Sequence, residues 1–266
     1  MAARSDVEPR KLLDSGAAQH KILADAVLGS RRQPGAVRVL EAGCGNRWVL
    51  TPHSGDVHIT GVDTDADALR IRREVQGDLD DEIHGDLRTV ALPAESFDVV
   101  YCSYVLEHVA GAQAVLDRFV AALRPGGRLI VRVPDGNSVY GFLTKHSPHR
   151  VHVLYKRYVE RYPNAGKPGY APYPTVYDEV VTLRGLRAWA AHNGLAVLHE
   201  DGTNLYLKHF GRLRPVVSAV LVAIAACSRG RLSASHNNIC MVFQKPGDGA
   251  ENASVETNGP GSQSSE

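Results

Sequence analysis

The chain is poor in cysteine and lacks any long apolar run. Its four cysteines among 266 residues, Cys44, Cys102, Cys227 and Cys240, include no Cys-x-x-Cys spacing. That argues against a disulfide framework or a zinc cluster and predicts reduced core thiols in a cytosol-like compartment. The first ten residues contain no apolar signal core, so a cytoplasmic location is expected. The one strongly apolar stretch, Val216 to Cys227, is far below the roughly twenty residues a membrane-crossing helix needs, which makes a packed helix the expectation. No excess of either charge exists: 30 basic and 29 acidic residues leave a net charge of +1, so no nucleic-acid partner is implied.

What the chain does contain is a nucleotide-binding pattern. Val37 to Leu40 reads as a buried strand that meets Glu41 and then a turn with Gly43 and Gly45, where glycine allows sharp bending and close ligand approach. A second apolar strand, Val57 to Val62, ends in Asp63. Strand, glycine turn, helix, strand and acid form a βαβ unit able to hold a ribose. The dinucleotide fingerprint Gly-x-Gly-x-x-Gly fails, because Trp48 stands where its third glycine belongs.

Glu41-Ala-Gly-Cys-Gly45 followed by Gly61-Val-Asp63 resembles the cofactor site of class I S-adenosylmethionine-dependent methyltransferases. The resemblance continues in chain order through His84-Gly-Asp-Leu87, Ser96 to Val109 and Leu123-Arg-Pro-Gly-Gly-Arg-Leu-Ile-Val131. It implies a doubly wound α/β fold, with a mostly parallel seven-stranded sheet, an antiparallel last strand, helices on both faces and substrate-side insertions. It implies S-adenosylmethionine as cofactor, with Glu41 near its amino-acid end, Gly43, Cys44 and Gly45 in the loop beneath it, and Asp63 on the ribose hydroxyls beside Thr64. Asp86 and Leu87 would meet the adenine, and Cys102 and Ser103 the methionine part. No Asn/Asp-Pro-Pro-Tyr/Phe sequence follows the fourth strand, which argues against methylation of amino groups in nucleic acid or glutamine.

The periodicity predicts a helix over 8–29, strands over 37–42, 57–63, 82–85, 97–102, 128–133, 195–200 and 238–244, and helices over 65–76, 112–123 and 182–193. Pro93 leaves the helix between 86 and 96 short or missing. One domain over 1–245 is expected, with insertions at about 134–178 and 203–231, followed by a disordered tail over 246–266. The first insertion holds seven of the ten tyrosines and six of the fourteen prolines. Those tyrosines can line an acceptor pocket or form the insertion's own core. Its His146, His149 and His152 could face substrate or solvent; a metal role is the weakest reading, since no carboxylate is near before Glu160.

His108, in Leu106-Glu-His-Val109, and His149 are the candidate bases, because imidazole can take a hydroxyl proton near neutral pH. His108 could equally be structural. The function implied is methyl transfer to a small molecule, most readily at oxygen. Two alternatives stand beside it: a lipid or glycolipid acceptor with peripheral membrane contact, and a non-catalytic scaffold of the same fold. The oligomeric state is not encoded in any visible pattern.

Overall fold

The computed structural model describes residues 6–31, 35–48, 56–167, 172–176 and 178–247. The expected tail beyond residue 247, Tyr170 and Tyr177 lie outside the described residues.

Eight strands form one sheet: β1 (Leu12–Leu13), β2 (Val37–Ala42), β3 (Val57–Asp63), β4 (Asp81–His84), β5 (Phe97–Ser103), β6 (Leu123–Pro134), β7 (Ala196–Thr203) and β8 (Asn238–Gln244). Their order is β1-β7-β8-β6-β5-β2-β3-β4, and β8 runs antiparallel to both β6 and β7. The central strands bear buried side chains almost throughout, as a sheet covered on both faces requires. On one face α1 (Gly16–Leu28) inserts Leu23 and Val27 among Val37, Val39, Tyr101 and Ile130. On the other, α3 (Ala112–Ala122) and α6 (Leu183–His192) contribute Val115, Phe119, Leu186 and Trp189.

Two local expectations are corrected. The helix predicted over 8–29 begins only at Gly16, where Ser15 caps it by accepting from the Ala18 N–H. Leu12 and Leu13 instead pair with Gly202 and Thr203, adding an eighth strand to the edge of the sheet. The apolar run 216–227 is helical but packed along one side only. In α7 (Arg214–Cys227) only Leu221 is buried, while Val216, Val220 and Val222 remain more than half exposed. No helix forms over 86–96.

The helix after β3 changes pitch midway. α2 (Ala66–Arg70) is capped by Asp65, whose carboxylate accepts from Asp67 and Ala68 N–H groups. It runs into a π-helical turn, Ile71–Gln76, closed by Gly77 at φ 65°. Such wide turns rotate the facing of the side chains within them. Within this turn Arg72 points inward and is fully buried.

The first insertion folds as α4 (Val139–His146) and α5 (His149–Tyr158). The second folds as a tight helical segment, Tyr206–Leu213, leading into α7. Val139 of the first and Leu207 and Leu221 of the second make a small common core, so the insertions pack as one lobe.

Candidate active site

Strand order reverses between β2 and β5, and ligands of doubly wound sheets sit in the crevice at such a point. Gly43 and Gly45 turn the chain there, with φ of +69° and +57°. A Cβ at Gly45 would meet nothing within 4 Å, so this position opens onto free space. Gly43 has a packing reason of its own. A Cβ there would lie 2.3 Å from Val105 Cγ2. Glycine at 43 admits the loop after β5.

Asp63 stands at the end of β3. Its Oδ2 accepts from the Gly45 N–H at 2.8 Å and its Oδ1 from the Asp65 N–H at 2.9 Å. The carboxylate therefore ties the β2 loop to the β3 loop, and each oxygen retains capacity for a second donor. Helix capping falls to Asp65, which leaves Asp63 available. Thr64 beside it is exposed, and its carbonyl accepts from His84 Nε2 at 3.1 Å.

Glu41 is buried and does not reach the crevice as a free acid. Its Oε2 lies 2.9 Å from Arg72 Nη2. The same guanidinium donates to the Cys44 carbonyl at 2.9 Å and to Asp78 at 2.6 Å. Burial pushes the Glu41 carboxyl up to about 7, against the pull of Arg72, whose charge is shared with Asp78. This buried arginine is the brace beneath the glycine loop. Its sequence signal was an arginine three residues after Leu69 on the helix face expected to be apolar.

Asp86 and Leu87 both have partners within the chain. Both Asp86 oxygens engage Arg88, Oδ1 at 3.0 Å from Nε, and that guanidinium holds the carboxyl down at about 2. Leu87 is buried in the main core. The segment sits beside Asp63, since the Gly85 N–H donates to the Asp63 carbonyl at 3.0 Å. Cys44 and Cys102 are buried thiols, each raised mainly by burial, and Ser103 Oγ is 3.5 Å from Arg132 Nη1.

The loop after β5 leads from this crevice into a second space. Tyr104 adopts φ +58°, a left-handed conformation that costs a bulky residue about 1–2 kcal/mol. Its N–H donates to the Arg132 carbonyl at 2.8 Å, and the Arg132 guanidinium lies 5.1 Å from its ring centre. Next come Glu107 and His108, which border a cavity of about 700 Å³ enclosed by α4, α5, the 206–213 segment and α7.

The walls of that cavity are largely apolar, with Tyr140, Tyr155, Tyr206 and Phe210 among them. Glu107 is 3 % exposed, its Oε2 has no hydrogen-bond partner, and burial raises its carboxyl to about 8. His108 Nδ1 is 2.8 Å from the Pro174 carbonyl and so carries the proton, which leaves Nε2 as an acceptor. Burial lowers the proton affinity of this imidazole. Nε2 lies 3.9 Å from Glu107 Oε1.

His149 does not join this group. It is exposed on α5, and His152, one turn on, lines the cavity instead. His146 ends α4 with Nδ1 2.8 Å from the Phe142 carbonyl. Glu107 is the acid that sequence reasoning passed over, although it stood beside the histidine that was singled out.

Comparison with known proteins identifies the family. A family model described as a methyltransferase domain matches residues 4–200. A trans-aconitate 2-methyltransferase of Paracidovorax citrulli is 31% identical over 120 residues, 44% of this chain and 44% of its own length. A ubiquinone biosynthesis O-methyltransferase of Xylella fastidiosa is 33% identical over 111 residues, covering 38% and 44%. A 27-O-demethylrifamycin SV methyltransferase of Amycolatopsis mediterranei is 30% identical over 114 residues, covering 40% and 42%. The matches thus span less than half of these curated relatives. Among solved structures, the N-methyltransferase NodS of Bradyrhizobium japonicum bound to S-adenosyl-L-homocysteine shares the fold, with TM-score 0.51, 16% identity and coverage of 86% and 87%. Matched over most of its length by the domain model, the chain belongs to the class I S-adenosylmethionine-dependent methyltransferase family.

Proposed function

We propose that this protein transfers a methyl group from S-adenosylmethionine to a hydroxyl oxygen of an apolar small molecule held in the 700 Å³ cavity. The observation that carries this reading is the pairing of two groups at the cavity floor: an orphaned, buried Glu107 oxygen and the proton-free Nε2 of His108. An apolar hollow with a few convergent polar groups at one end suits an organic acceptor with one polar handle. Relatives named for O-methylation support oxygen as the target.

The chain's residues fit the cofactor. The open space over Gly45 admits close approach of a ligand, and Asp63, held by two N–H donors, presents a fixed acceptor for a ribose diol. When bound, the cofactor supplies an electrophilic methyl on a sulfonium, so the protein needs to orient the acceptor and keep water out. His108 Nε2 accepts the hydroxyl proton as the oxygen attacks. Glu107, protonated at neutral pH, donates to that oxygen beforehand and fixes its direction. The Pro174 carbonyl holds the ring and its tautomer throughout.

Calorimetric titration with S-adenosylmethionine, followed by incubation of cell extract with labelled cofactor, tests the reading. Labelled product should partition into organic solvent and survive mild base as an ether. His108→Gln should retain cofactor affinity while product formation falls about 10²–10⁴-fold. Cofactor binding with no labelled product from any extract would instead favour the scaffold.

A further inference from the structure

A helix apolar on all sides belongs in a core, yet α7 is mostly outside one. Its stripe at Val216, Val217, Val220, Leu221 and Ile224 lines the cavity, Val222 and Ala226 border a second groove with Leu12, Leu13 and Asp14, and Ala219 and Ala223 are exposed and line neither. The helix joins a stretch of chain without a single acid: none occurs between Asp201 and Asp248. The same stretch carries Lys208, Arg212 and Arg214 before the apolar turns and Arg229 and Arg231 after them, all exposed. Apolar surface bracketed by cations at both ends matches the boundary between acyl chains and anionic headgroups.

The geometry argues for lying on a membrane and against crossing one. The helical stretch Tyr206–Cys227, 22 residues, is apolar enough to span. It is broken at Gly211, where φ is 49° and ψ −119°. The unbroken part, 14 residues, is about 21 Å long against a hydrocarbon thickness of about 30 Å. One side of it is also already committed to the cavity and to the core shared with Val139 and Leu207.

The cavity rim is itself exposed and apolar. Leu143 of α4, Val151 of α5 and Val216 and Val220 of α7 each line the cavity and are each 44–62% exposed. Both insertions contribute to this rim.

We infer that α7 docks this protein on an anionic membrane surface, with the cavity mouth toward the lipid, and that the acceptor is a lipid-soluble hydroxyl compound entering from the bilayer. This deepens the function proposed above and rests on it for the acceptor's chemistry, but docking itself can be tested separately.

The full chain is sedimented with phosphatidylcholine vesicles prepared with and without phosphatidylglycerol. Binding is expected only to the anionic vesicles and should weaken in high salt. Ala219→Glu/Ala223→Glu, one turn apart on the exposed side of α7, should abolish it. Arg212→Gln/Arg229→Gln should weaken it about 30-fold, at about 1 kcal/mol per cation. Calorimetric titration with S-adenosylmethionine should be unchanged in both variants, which certifies their fold and separates failure of docking from failure of the cofactor site. Absence of vesicle binding, or equal binding by the Glu variant, overturns the inference. So does a concentration-dependent dimer dissociated by the Glu variant in the absence of vesicle binding, which would make a second copy the occupant of this face.

Discussion

Replacing Glu107 by Gln tests whether a buried acid at the cavity floor holds its proton at neutral pH. Burial is the main cause of its elevated proton affinity, and Glu107's own backbone N–H opposes it only in part. The native carboxyl releases its proton at about 8, where the ordinary value is 4.5. Between those values the unfolded chain binds fewer protons than the native one, so stability falls as pH rises through the window. The full displacement corresponds to about 5 kcal/mol, at about 1.4 kcal/mol per pH unit. Water in the adjoining cavity solvates the ionised form, which sets the expected effect at about 3–5 kcal/mol.

Glutamine has the same shape and no proton to lose. Urea unfolding of both proteins at pH 5 and pH 8.5 should therefore show near-equal stability at the lower pH and a more stable variant at the higher. Glu41, also raised, contributes its own slope to both proteins, and the difference between them isolates Glu107. Parallel stability curves would show that the carboxyl is already ionised at neutral pH, and its role as a donor to the acceptor hydroxyl would be lost.

Asp63→Ala removes the acceptor for two loop N–H groups as well as the ribose contact, and should weaken S-adenosylmethionine by about 1.5–3 kcal/mol. Unchanged calorimetric affinity would remove Asp63 from the site. Gly43→Ala should greatly reduce cofactor affinity, because the new Cβ would fall 2.3 Å from Val105 and the backbone is left-handed. Adding Val105→Ala should recover most of it, leaving about 1–2 kcal/mol for the conformation. If the double variant is no better than the single one, the clash is not the reason for glycine.

The sheet was largely legible because each central strand is a short apolar run between turn residues. Val37–Ala42 and Val57–Asp63 fall where their composition placed them. β1 was not legible: two leucines before a capping serine look like the first turn of a helix, and only pairing with residues about 190 positions away makes them a strand. Arg72 stands three residues after Leu69, on the face a regular helix turns inward, but a charge there makes sense only once Glu41 and Asp78 are seen to pair with it. The purpose of Gly43 depends on Val105, and nothing local announces such a contact. The exposure of α7 was hidden for a different reason. An apolar helix reads the same in sequence whether protein or lipid covers it.

The two halves of the site meet at a single loop. Val105 seats against Gly43 in the cofactor crevice, while Tyr104, Glu107 and His108, its close neighbours in sequence, border the acceptor cavity. Tyr104 is held left-handed between them, with its N–H on the Arg132 carbonyl and its ring against the Arg132 guanidinium. A strained residue persists only where its surroundings over-determine it, and here those surroundings are the buried β6 arginine and its partner Gln19 on α1. Tyr104 thereby ties the segment to the sheet core, while the Pro174 carbonyl and the Val176 N–H tie His108 and Glu107 to the first insertion. A shift of the 104–108 loop large enough to reshape the cavity floor would also press Val105 into the glycine turn. On the proposed function one loop thus borders both ligands, which is what an in-line transfer between them requires.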